Sequence, residues 1–118
     1  KAQQMIRSDT LRARVALALA LVACVASVQA ADKEKGRQKA EQVCAACHGK
    51  DGSTSVDPSY PKLAGQAADY LYNALLAYRN ESRKNAIMAG MAKPLTNAEM
   101  RDLAAYYASL PGQLRYKP

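Results

Sequence analysis

The chain contains no tryptophan and no phenylalanine, so its seven tyrosines are its only aromatic residues. With so little aromatic bulk, a small domain is marginal unless something else supplies apolar mass. Histidine occurs once and cysteine three times in 118 residues, which leaves no second half for a four-ligand zinc site. No polybasic run and no basic stripe interleaved with aromatics is present, so nucleic-acid binding is unsupported. No apolar run approaches the roughly 20 residues a membrane span needs. Internal repeats are absent too, and no segment after residue 30 is of low complexity.

The first thirty residues read as a cleaved export signal. Arg7, Arg12 and Arg14 form a basic head, Val15–Val28 an apolar stretch, and Val28 and Ala30 the small residues that a signal peptidase reads. Cleavage after Ala30 leaves residues 31–118 as one small domain, placed in the bacterial periplasm. Leu21-Val22-Ala23-Cys24 is a competing signal, a lipobox that would tether the domain through a lipidated Cys24. The plainer reading makes Cys24 one more small residue of the discarded stretch. Thirteen of the 17 basic and nine of the ten acidic residues lie after Ala30, a net of about +4. That mild excess suits steering towards acidic docking faces of protein partners.

What is present is concentrated at Cys44-Ala45-Ala46-Cys47-His48. Two thiols three residues apart with a histidine directly behind them form the attachment signature of one covalently bound haem c. On a helical turn both sulfurs face one side, each able to add across a vinyl group, and the imidazole follows under the iron. A thioredoxin-like dithiol would need a βαβ setting, and no strand-rich segment stands nearby. The macrocycle then supplies the apolar mass that the composition lacks.

The rest of the chain reads as helical. Asp32 to Ala46 is a first helix with Gly36, Ala40 and Val43 on one stripe, and Ser53 to Pro61 is loop. Gln66 to Arg79 is a second helix with a wide apolar face of Tyr70, Leu71, Ala74, Leu75 and Tyr78. Thr96-Asn97-Ala98-Glu99 is a capping box that opens a last helix. That helix runs to about Leu110 before Pro111-Gly112, with Met100, Leu103, Ala104, Tyr107 and Leu110 on its stripe. Met5 sits in the leader and Met100 on the stripe, which leaves Met88 and Met91 as candidate soft ligands for iron.

These residues, in this order, resemble a class I cytochrome c, within it the single-domain bacterial c4, c5 and c553 types. The resemblance rests on Gly36, Cys44 to Gly49, Tyr60 to Gln66, a methionine ahead of Leu95-Thr96, and Asp102 to Tyr107. It differs from the c4 type in having one such domain where that type usually has two. The resemblance implies an all-α fold of three to five helices wrapped around one haem. It implies thioethers at Cys44 and Cys47, His48 as proximal ligand, and the Pro61 carbonyl as acceptor of the other ring proton. Leu63 would press on the haem face, and Gly36 would let the first helix cross the last near Leu103 and Tyr106. The distal ligand it implies is Met88, eight residues before the Thr96 cap, with Met91 a haem-contacting or core residue. Gln66, Arg83 and Lys84 flank the haem in the family as possible propionate contacts.

A histidine and a methionine together fill both axial positions, and the soft sulfur raises the reduction potential. The implied function is one-electron carriage between respiratory or dehydrogenase partners, without catalysis. An open distal site would instead make a haem enzyme or a gas-binding protein, and a lipidated Cys24 would make an electron-transfer subunit fixed to the membrane. A weak homodimer is also compatible with the family.

Overall fold

The computed structural model describes residues 29–114, so the export signal and Cys24 lie outside the described residues. Among the described residues all regular structure is helical: α1 (Lys33–Lys39), a π-helical turn (Ala40–Cys44), α2 (Ala45–His48), α3 (Ala68–Arg79), α4 (Ala86–Ala92) and α5 (Asn97–Ser109). The first three are one continuous rod. No helix among these is long and apolar enough to cross a membrane.

Local chemistry explains where the helices begin. The Asp32 carboxylate accepts from the amides of Glu34 at 3.0 Å and Lys35 at 3.1 Å, which starts α1. At α5 the Thr96 hydroxyl accepts from Glu99 N at 3.1 Å while the Glu99 carboxylate accepts from Thr96 N at 2.9 Å. This is the expected capping box, closed in both directions. Leu110 turns extended and ends α5 one residue before Pro111.

The frame is the crossing of α1 over α5. Gly36 is buried there, and a Cβ in its place would strike the Asp102 carbonyl and stand 2.9 Å from Tyr106 Cβ. The expected neighbours were Leu103 and Tyr106; the structure sets Asp102 and Tyr106 against the glycine. Two polar ties bracket the crossing: Asp32 N donates to Asp102 Oδ1 at 2.7 Å, and Lys39 Nζ pairs with Glu99 Oε1 at 2.8 Å. Below it Met100, Leu103, Ala104 and Tyr107 are buried as their stripe predicts, and Leu110 is half-buried.

The π-helical turn was not foreseen, and it changes which way the rod points. Ala45 N–H reaches back five residues to the Ala40 carbonyl, so one extra residue is accommodated in that turn. At about 100° per residue, an unbroken α-helix would set His48 about 120° around the axis from Gly36. The extra residue returns it to about 20°, on the side that Gly36 and Ala40 turn towards α5. His48 is accordingly buried.

Two further differences concern α3 and α4. Tyr70, placed by periodicity on a buried face, is half exposed, because α3 borders a cavity where it was expected to meet packed core. The short helix α4 was not read from the sequence. Two turns are too short to show a period, and with every residue but Gly90 apolar there is no polar face to set one off, although Asn85 ahead of Ala-Ile-Met is a legible cap.

Candidate functional site

Between the rod, the loop after it, α3, α4 and α5 lies a cavity of about 510 Å³. Its walls are largely apolar, with Leu63, Leu71, Leu75, Leu103 and Tyr107 among them. Packed interiors leave few gaps larger than a water molecule, so a space of this size is the shape of a large apolar ligand. Cys44, Cys47, His48, Pro61, Leu63, Met88 and Met91 all face it, brought together from three parts of the chain: the rod, the loop and α4.

The polar members are arranged for ligation. His48 Nδ1 lies 2.9 Å from the Pro61 carbonyl, which can only accept, so the ring proton resides on Nδ1. Nε2 is then the nitrogen with a free lone pair. The bond fixes the tautomer and orientation of the ring. Tyr60 packs beside it with ring centroids 6.2 Å apart.

The loop between His48 and α3 is what carries Pro61 to this point. Gly49 leaves the rod at φ +80, a region L side chains seldom adopt, and a Cβ there would strike the Thr54 carbonyl. Leu63 N and Ala64 N both donate to the Gly52 carbonyl, at 2.7 and 3.0 Å, and Gly65 N donates to the Tyr107 carbonyl at 2.9 Å. The return strand of the loop is thereby pinned to α5.

Asp51 holds the first turn of this loop by accepting from Ser53 N at 2.9 Å, Thr54 N at 2.8 Å and Thr54 Oγ1 at 2.7 Å. Those bonds, the Ser53 amide first, hold its carboxyl below the usual 3.8, at about 2. A lowered folded pKa favours the ionised form, so its contribution is complete above about pH 4 and is lost as pH falls through about 2. Amide protection factors at Ser53 and Thr54 should therefore fall between pH 4 and 2. In Asp51→Asn that step should vanish; an unchanged step would place the acid-sensitive group elsewhere.

Both cysteines of the motif are half-buried, and no disulfide joins them. Burial pushes the Cys44 thiol above its ordinary value, and the neighbouring Tyr107 phenol is pushed up by the same cause. A reactive redox dithiol has a depressed thiol pKa. Cys44 has the opposite shift, which speaks against that reading. Among the described residues no three His, Cys, Asp or Glu side chains group closely enough to hold a metal ion.

The two candidate sulfurs differ in setting. Met88 is half-buried, and its own amide donates to the Asn85 side chain at 2.9 Å. Met91 is 43% exposed, so it is not a core residue, although it borders the cavity. Met100, the stripe methionine, is fully buried and does not face the cavity. Of the propionate candidates, Gln66 and Arg83 line the cavity and Lys84 does not. Arg83 stacks 4.8 Å over the Tyr78 ring and reaches the Tyr70 hydroxyl at 3.5 Å. Asn85 and Lys62, which also line the cavity, were not singled out from the sequence. Asn85 was legible as a cap; Lys62 carries no local signal.

Comparison with known proteins agrees with this geometry. The family model described as Cytochrome c matches residues 33–111. Cytochrome c4 of Thiocapsa roseopersicina is 46% identical over 86 residues, covering 73% of this chain and 44% of that protein. A "thiosulfate dehydrogenase electron acceptor" of Thiomonas intermedia is 45% identical over 67 residues, covering 57% of this chain and 31% of its own length. The crystal structure of reduced recombinant cytochrome c4 from Pseudomonas stutzeri superposes with a TM-score of 0.65 at 41% identity, covering 71% of this chain and 48% of that one. The chain thus spans less than half the length of these relatives. The match takes in the rod, the cavity and α5 alike, and the chain belongs to the cytochrome c family, with the small all-α class I fold and haem c as its cofactor.

Proposed function

We propose that this protein is a periplasmic one-electron carrier, with haem c held by Cys44 and Cys47 and ligated by His48 and Met88. The observation that carries the reading is the His48 Nδ1 to Pro61 bond, which commits one ring nitrogen and presents the other to an apolar cavity that also has a methionine in its wall. Haem c supplies a reversible ferrous–ferric couple. The protein's own residues bind it, orient the imidazole and exclude water, since the cavity walls are mostly apolar. Low water access limits reorganisation around the metal and lets the soft sulfur favour the reduced state.

Carriage is favoured over catalysis by what borders the cavity. Among the described residues no aspartate or glutamate does so, and the one imidazole is already engaged through Nδ1. That leaves no carboxylate acid or base for substrate chemistry. The relative named as an electron acceptor supports the same reading.

The cavity mouth also suggests how partners meet the protein. Tyr70, Ile87 and Met91 are exposed apolar side chains there, and Lys62 and Arg83 are the charged residues among them. Such a rim suits a redox partner whose apolar patch is ringed by carboxylates. Export, with cleavage after Ala30, completes the proposal.

A redox titration of the holoprotein should give one single-electron wave. Exchange with an acidic redox protein should slow as salt rises, because screening weakens the steering. Steady turnover of a small-molecule substrate without that wave would overturn the carrier reading, and salt-independent exchange would overturn the docking part. N-terminal sequencing of the exported protein should begin at Ala31; a lipid-modified Cys24 there would replace the free carrier with a tethered one.

A further inference from the structure

We propose that Arg79 is a positioning residue for the methionine-bearing helix, tying the far end of α4 to α3 and so setting how readily the sulfur side of the cavity opens. The inference rests on the reading above that α4 supplies the distal ligand.

Helix α4 has little to hold it. At seven residues it is too short to be stable alone. Its buried side chains are two alanines, Ala89 and Ala92, while Ile87, Met88 and Met91 face the cavity and not another helix. Nothing stands within 4 Å of where a Gly90 side chain would be. The Asn85 cap at its start is local and travels with the helix. At its other end the Lys93–Glu81 pair, 3.4 Å apart with both side chains nearly 60% exposed, contributes little.

Arg79 supplies what these lack. It stands in the last turn of α3, a helix of twelve residues, and reaches into the junction between α4 and α5. Its Nη1 donates to the Leu95 carbonyl at 3.1 Å and its Nη2 to Asn97 Oδ1 at 2.7 Å. The two acceptors flank Thr96, the α5 cap, so one planar guanidinium spans the junction. Leu95 is 6% exposed and forms part of the cavity wall. Among the described residues no other side chain of α3 bonds to this junction. Release of the fork frees the end of α4 three residues beyond its last helical position, while the α1–α5 crossing is untouched.

The test compares Arg79→Ala, Arg79→Lys and Arg101→Ala in ferric holoprotein. Arg101 is a fair control because it also joins α3 to α5, 5.5 Å over the Tyr72 ring and 3.4 Å from its hydroxyl, without touching the junction. Arg79→Ala should speed cyanide binding at least about tenfold, since it removes both hydrogen bonds of the fork and one charge-assisted bond alone is worth about that factor. It should also bring loss of the sulfur–iron absorption band to lower denaturant than loss of helix. Arg79→Lys, able to reach one acceptor at a time, should fall between. Arg101→Ala should leave the cyanide rate unchanged. If Arg79→Ala behaves as Arg101→Ala does, with band and helix lost together, the proposal is wrong. If wild-type holoprotein shows no sulfur–iron band, the distal-ligand reading fails, and amide exchange then decides the tie separately. Faster exchange confined to residues 89–93 in Arg79→Ala supports it; equal acceleration across all helices overturns it.

Discussion

Replacing Cys44 and Cys47 together with alanine should yield a chain that holds no covalent haem and is largely unfolded. The thiols are the attachment points in the reading above, and the cavity wall they belong to is largely apolar. Without the macrocycle little remains to pack. Half of the ten buried apolar residues among those described are alanines, and only Met100 and Leu103 are large side chains buried to 2% or less. A fully buried leucine contributes roughly 1.5–3 kcal/mol, and ordering each residue's backbone costs about 1–2 kcal/mol. So small a core does not offset that cost across a domain of this size. Haem retention after denaturing electrophoresis and far-ultraviolet circular dichroism are the measurements. Wild type should keep its haem and helix; the double variant should lose both. A double variant that unfolds cooperatively with native helicity would show that the protein supports the cavity walls without a ligand, and the structural role assigned to haem would fall.

Met88→Ala has the second large expected effect, on ligation more than on stability. Loss of a thioether should remove the sulfur–iron band and open the iron to carbon monoxide or cyanide. It should also lower the potential by on the order of a tenth of a volt or more, within the roughly 0.8 V that axial ligands span. Met91→Ala should leave ligation intact. Because Met91 is 43% exposed, its truncation should cost no more than about 1 kcal/mol, well short of the 2–5 typical of a fully buried methionine. The reverse pattern of spectra would make Met91 the ligand. An unchanged spectrum in both variants would remove the His/Met assignment and with it the main support for carriage.

Several parts of the fold were legible because their causes are local. The capping box needs only Thr96 and Glu99 at the right spacing, and the α5 stripe needs only a period. Cys44, Cys47 and His48 announce themselves because attachment and ligation chemistry falls within five consecutive residues. Met88 and Met91 could be singled out from four methionines by their place in the chain, and the family's spacing to the Thr96 cap is what favours Met88. Their difference in exposure is a tertiary fact, set by how α4 lies against α3. Tyr70 shows the converse error: periodicity identified an apolar face correctly but not that the face borders a cavity.

Chemistry carried by contiguous residues, then, was written into the chain: the haem-attachment run, the helix caps, the apolar stripe of α5 and the small core that makes a bound macrocycle necessary. The remainder arises from contacts between residues far apart. A π-helical turn that rotates His48 inward leaves no mark on a pattern read at 3.6 residues per turn, because its one extra residue changes the backbone period and not the residue types. The Pro61 carbonyl meets His48 only once the loop has been pinned to Gly52 and Tyr107. Arg79 reaches Leu95 and Asn97 only because α3 packs beside α4 and α5. Hydrogen bonds of that kind depend on distances across the folded chain, and spacing along a sequence carries no information about those distances until the helices have packed.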